Sequence, residues 1–202
     1  GTGRDALSKE VHRPEYRSLV QVPFTLTLLA KVLASEGGSE DALSATAVYD
    51  AALNLLLRYD LQKCTGVTDV ASDVEVSARE LLYTFAFWNH LSGAIAQPWS
   101  SFSFLGAGVT AVQSCNFTTL PGTAASAQFM HLSFQEFLSA NFLARLKNTI
   151  SELGDWLRAC SGDPWWSQVL LMTSEILPPA QRSAFLDALA DNRCEEGEPH
   201  AE

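Results

Sequence analysis

The side chains best suited to proton transfer, metal binding or nucleophilic attack in this chain are four histidines and four cysteines. They are His12, His90, His131 and His200, with Cys64, Cys115, Cys160 and Cys194. The cysteines stand far apart and form no C-x-x-C pair. That spacing suits free thiols better than a metal centre or a disulfide framework, so no metal site is expected. Cysteine catalysis needs a paired histidine, and nothing in the sequence links Cys115 to His90 or His131. His12 and His200 lie in polar flanks and are expected to be solvated. No G-x-S-x-G elbow occurs, and no catalytic residue is assigned. Gly106-Ala107-Gly108-Val109-Thr110-Ala111 has the spacing of a dinucleotide-binding turn. Such a turn should open a helix and be followed by an acidic residue about twenty positions on. No Asp or Glu occurs between Glu80 and Glu136, so a β-turn or bulge is the better reading.

His131 has the most informative surroundings. It stands in Phe129-Met130-His131-Leu132-Ser133-Phe134-Gln135-Glu136-Phe137. Ser133 and Glu136 have the S-x-x-E spacing of a capping box, in which each side chain caps the other residue's amide. Leu132 and Phe137 have the spacing of a hydrophobic staple. Both patterns predict a helix start here, with Phe134, Phe137, Leu138 and Phe142 on the buried face. A helix N-terminus presents unpaired amides and the positive end of the helix dipole, so it favours anions. A histidine at that place can add a donor to a phosphate, or can simply pack beside the staple.

The elements around this motif read mostly as helix. Pro14 and Pro23 each precede apolar runs and suit a first helical position. A helix is predicted from about Ala45 to Lys63, with Val48, Ala52, Leu55, Leu56 and Tyr59 on one face and Thr65-Gly66 ending it. Another is predicted from about Val74 to His90, with Leu81, Leu82, Phe85 and Trp88 as its stripe. Between Gly93 and Gln128, Ser, Thr, Gly and β-formers dominate. Residues 101–105 and 112–120 are expected as short strands, and 123–128 as a loop. Helices are then predicted over 131–147, 150–159, 164–177 and 179–191. Asp163 is the expected N-cap of the third of these, with Pro164 at its first position. The fold class expected is mainly α, with helical bundle segments flanking a winged-helix domain that carries a small β-ribbon.

The 202 residues carry a net charge of −10, with 23 acidic and 13 basic side chains. Hydrophobic residues make up 47% of the chain, enough for a buried core in one large domain or two small ones. The acidity argues against nucleic acid as a partner, because phosphate backbones require clustered Lys and Arg. The helix after His131 offers only Arg145 and Lys147 for reading DNA. Acidity also disfavours an anionic membrane surface. The longest apolar candidate, Leu19 to Ala34, is interrupted by Gln21, Pro23, Thr25, Thr27 and Lys31, so no membrane span is expected. The chain opens GTGRDALSKEVHR, with neither an initiator Met nor the apolar stretch of a signal peptide. A piece of a longer cytoplasmic protein is expected. The five tryptophans, including Trp156, Trp165 and Trp166, suit core and helix packing.

The stretch FMHLSFQEFLSANFLA resembles the winged-helix signature of NACHT-type STAND ATPases, the NLR-like signalling switches. Upstream, SLVQVPFTLTLLAKVL is similar to that family's first helical domain, and TAVYDAALNLLLRYD to the helix leading into its winged helix. Downstream, DPWWSQVLLMTSEIL is similar to its second helical domain. The resemblance spans roughly residues 14–192. It implies three segments: the end of the first helical domain (1–42), a winged-helix domain (43–147) and the start of the second helical domain (148–194); the short acidic composition of 195–202 predicts a disordered tail. It also implies a nucleotide-binding role for two residues. His131 would contact the β-phosphate of ADP in the closed resting state, and Pro23 would pack near the adenine. The chain has no G-x-x-x-x-G-K-[ST] loop and no acidic Mg²⁺ motif, so it is not expected to be an enzyme on its own. ADP or ATP would be held through a nucleotide-binding domain upstream in the same parent chain, and this segment alone would bind neither. The resemblance implies a role in innate-immune signal transduction, with the parent forming a homo-oligomer on activation. The alternative is a helical protein-interaction scaffold with no nucleotide role.

Overall fold

The computed structural model of the chain describes residues 27–31, 44–66, 72–105, 126–129, 131–146 and 154–190. Residues 27–31 are helical, with Leu28 and Leu29 buried. Helix α1 (Ala45–Thr65) starts where Ser44 turns its hydroxyl back to accept the Ala47 amide at 3.1 Å. It ends at Gly66, whose φ of 67° lets its own amide reach the Gln62 carbonyl at 2.9 Å. Helix α2 (Ser72–Leu91) follows, with Asp73 and Glu75 in its first turn, where the helix dipole favours them. The chain then forms strand β1 (Ala96–Pro98), a kinked 3₁₀ segment (Trp99–Leu105) and strand β2 (Ser126–Gln128). β1 and β2 pair antiparallel, with Ala96 opposite Gln128 and Pro98 opposite Ser126. Four helices complete the order: α3 (Leu132–Arg145), α4 (Gly154–Ser161), α5 (Pro164–Ile176) and α6 (Pro179–Ala190).

The described architecture is therefore mainly helical, as expected, with one small ribbon. Asp163 is the N-cap of α5, its carboxylate accepting the Trp165 amide at 2.9 Å, and Pro164 fills the first turn. Two local expectations are corrected. Residues 101–105 are 3₁₀ rather than strand: only Phe102 in Ser101-Phe102 goes inward, and Trp99 packs on it three residues away at 6.3 Å. Residues 126–128, expected as loop, pair with β1. The strand expected at 112–120 lies outside the described residues.

The chain gathers into two compact units. The first comprises Gly1–Leu82 and Ala96–Phe134. Its buried side chains include Tyr49, Leu53 and Leu57 of α1, and Phe134, whose ring meets Tyr49 edge-on at 5.5 Å. The expected α1 face is rotated in the structure. Val48 and Ala52 are buried, but Leu55 and Tyr59 are 41% and 61% exposed. Arg79 of α2 ties to α1 through Asp50 at 3.3 Å and through Asn54, and binds Glu75 at 3.0 Å on its own helix.

The second unit comprises Tyr83–Ile95 and Gln135–Glu202. Its core is aromatic. Phe87 stacks on Phe142 at 4.5 Å, and Trp156 meets Trp166 edge-on at 4.9 Å. Of the stripe expected on α2, Leu82 and Phe85 are buried, but Trp88 is 47% exposed; Ala86, Asn89 and His90 are buried in its place. Helices α4, α5 and α6 pack against one another. Arg182 of α6 donates to the Glu175 and Leu177 carbonyls at 3.1 Å, covering the open end of α5.

Candidate functional site

Two histidines are held by hydrogen bonds that define their protonation. His131 stands immediately before α3, which begins at Leu132, two residues earlier than the capping-box spacing predicts. Ser133 is thus inside the first turn, and the His131 ring is the group that turns back over the helix start. Its Nδ1 accepts the Ser133 amide at 3.2 Å, and the Ser133 hydroxyl lies 2.6 Å from the same nitrogen. A backbone amide can only donate, so Nδ1 carries no proton and the neutral ring bears its N–H at Nε2. The His131 carbonyl accepts the Phe134 amide at 3.1 Å. The half-buried imidazole therefore lies at a helix N-terminus, where the dipole favours an anion. Glu136, one turn on, has its carboxyl pushed above the usual range by burial.

His90, in the second unit, is wired differently. It is fully buried near the end of α2. Its Nε2 lies 3.1 Å from the Trp165 carbonyl, which can only accept, so the proton is on Nε2. Its Nδ1 accepts the Gln135 side-chain amide at 3.3 Å. Gln135 is oriented in turn, because its Oε1 accepts from Asn89 Nδ2 at 2.7 Å while its Nε2 also donates to the Ala94 carbonyl at 3.4 Å. Asn89 Nδ2 also donates to the Ile95 carbonyl at 3.3 Å, and its buried Oδ1 has no hydrogen-bond partner in the structure. The Trp165 ring stacks on the imidazole at 4.5 Å and 11°, and Trp166 meets it edge-on at 4.6 Å. Trp165 Nε1 returns a bond to the His90 carbonyl at 2.9 Å. Burial lowers the His90 pKa to about 4; the Trp165 carbonyl and the Asp163 carboxylate act in the opposite direction and do not overcome it.

Pro23 lies outside the described residues, as do His12, His200, Cys115 and Cys194. Cys160 is a buried free thiol whose pKa rises to about 11, first through burial and then through Asp163, so it is a poor nucleophile. Among the described residues no group of three His, Cys, Asp or Glu could hold a metal ion. None of their helices is long and apolar enough to cross a membrane.

The His90 cluster was not singled out from the sequence, where the histidine was weighed only as a partner for a cysteine. One signal was present. His90 continues the row Leu82, Ala86, His90 at a spacing of four, which is the inward face of α2. No protein-family model matches the chain, and no curated protein matches it.

Proposed function

We propose that this chain is the helical and winged-helix arm of a NACHT-type STAND signal-transduction ATPase, stabilising the ADP-bound closed form and rearranging on activation. The observation that carries the reading is the His131 ring, turned over the N-terminus of α3 with its Nδ1 accepting the Ser133 amide. That arrangement suits a phosphate oxygen, and the resemblance of the surrounding motif assigns it that ligand. The order α1, α2, ribbon and α3 is compatible with a winged helix occupying 43–147, with 1–42 and 148–194 as the flanking helical domains. Pro23 beside the adenine rests on the resemblance alone.

A single imidazole cannot retain a nucleotide. The phosphate loop, the Mg²⁺ ligands and the hydrolytic chemistry belong to an upstream domain of the parent, which would be cytoplasmic and would form a homo-oligomer when active. His131 favours the closed state only as far as it binds ADP better there.

The coding sequence upstream of Gly1 tests the premise: a phosphate-binding loop within about two hundred residues supports it, and an unrelated domain overturns it. In the parent protein, His131→Ala should then weaken ADP retention by roughly tenfold, the value of one good hydrogen bond to a charged group, and raise basal signalling. Unchanged ADP affinity with unchanged basal signalling removes His131 from the site. A helical interaction scaffold is the second reading. It is favoured by Trp88, Leu91 and Ile95, three exposed apolar side chains around the end of α2.

A further inference from the structure

The polar cluster around His90 lies outside the nucleotide reading and does not depend on it. Its wiring has one consequence for protonation. Both ring nitrogens are committed, Nε2 as donor to the Trp165 carbonyl and Nδ1 as acceptor from Gln135. A second proton, on Nδ1, would face the Gln135 amide hydrogens donor to donor. Gln135 cannot turn over alone to offer its oxygen, because that would set its amide against Asn89 Nδ2 and its oxygen against the Ala94 carbonyl. The closed cluster could accept a doubly protonated ring only if Gln135 and Asn89 turned over together, giving up the bonds to the Ala94 and Ile95 carbonyls.

We propose that His90 is an acid-released latch: proton uptake at Nδ1 expels the Gln135 amide and frees the end of α2 from the starts of α3 and α5 within the second unit. The charged group that acts on the ring is Asp163, at the head of α5, and it favours the proton. Helix α3 contributes the neutral Gln135, α2 contributes the neutral Asn89, and the turn after α2 contributes the Ala94 carbonyl. Trp165 and Trp166 wall the ring with apolar surface, which disfavours the charge.

The direction follows from linkage. A histidine of pKa 6.5 when open and about 4 when closed keeps the latch shut above pH 6.5 and releases it as pH falls towards 4. The gap of 2.5 units caps the effect at about three-hundredfold in the opening equilibrium, and at pH 5.5 gives about tenfold. The latter pH lies above the range in which ordinary carboxylates titrate.

The test is native-state hydrogen exchange on the full 202-residue chain at pH 7.5 and 5.5, corrected for intrinsic chemistry, with wild type and His90→Gln in parallel. In the wild type, opening at amides 89–93, 135 and 165 should rise about tenfold between the two pH values. In the variant this rise should be lost. An equal rise in both proteins, or none in the wild type, overturns the latch. Should His90→Gln fail to fold, ring ¹⁵N and ¹H resonances of the wild type decide. A neutral Nε2–H ring whose protonation coincides with loss of the Trp165 stacking shift supports the latch. A ring that titrates near 6.5 with the stack intact refutes it.

Discussion

His90 and His131 share a tautomer and differ in almost everything else. Both accept at Nδ1 and carry the proton at Nε2. His131 is held by Ser133, two residues along, whereas His90 is held by Gln135 and Trp165, 45 and 75 residues away. The first is a local capping device on a half-buried ring, so its removal costs little. The second is a long-range joint in an apolar box, where each polar atom must be matched or becomes a liability. A ring tautomer is thus no guide to role; the sequence separation of its partners and the burial around it are.

The comparison breaks most visibly at the apolar wall. Trp166→Ala should destabilise the second unit by about 3–5 kcal/mol, measured by denaturant unfolding, since it empties a site shared with Phe87, His90 and Trp156. Gln135→Ala comes next. It leaves His90 Nδ1 and Asn89 Nδ2 short of a partner in a buried place, at about 1–3 kcal/mol. His131→Ala is the smallest, about 1 kcal/mol, comparable to an ordinary helix cap. A loss for His131→Ala as large as for Gln135→Ala would erase the distinction drawn between the two rings. Glu136 sharpens the pH comparison from the other side. Its raised pKa favours folding as pH falls, opposite in sign to His90, so only the difference between wild type and His90→Gln isolates the latch.

Much of the fold was legible because helix ends announce themselves locally. Thr65-Gly66 and Asp163-Pro164 marked a stop and a start that the structure bears out, through a left-handed Gly66 and a capping carboxylate. The Ser101–Leu105 stretch misled because alternating Ser and Phe satisfies a period of two as readily as a 3₁₀ turn with Phe102 inward. The faces of α1 and α2 misled for another reason. Both helices carry apolar residues nearly all round, so periodicity alone could not choose between the row with Leu55 and Tyr59 and the row with Leu53 and Leu57. For the candidate site, the motif around His131 was visible because its contacts lie within one turn. The His90 cluster was not, because no local pattern joins residues 90, 135 and 165.

The sequence by itself determined what is local and additive: a mainly helical chain, most of its helix boundaries, an acidic charge that disfavours nucleic acid, and a histidine at the head of α3. Only the tertiary structure decided which helix faces turn inward, that residues 126–128 pair with 96–98, and that a buried His90 meets Gln135 and Trp165. The reason is physical. Caps and turns are satisfied by atoms a few residues apart, while burial and hydrogen-bond matching depend on which distant surfaces meet.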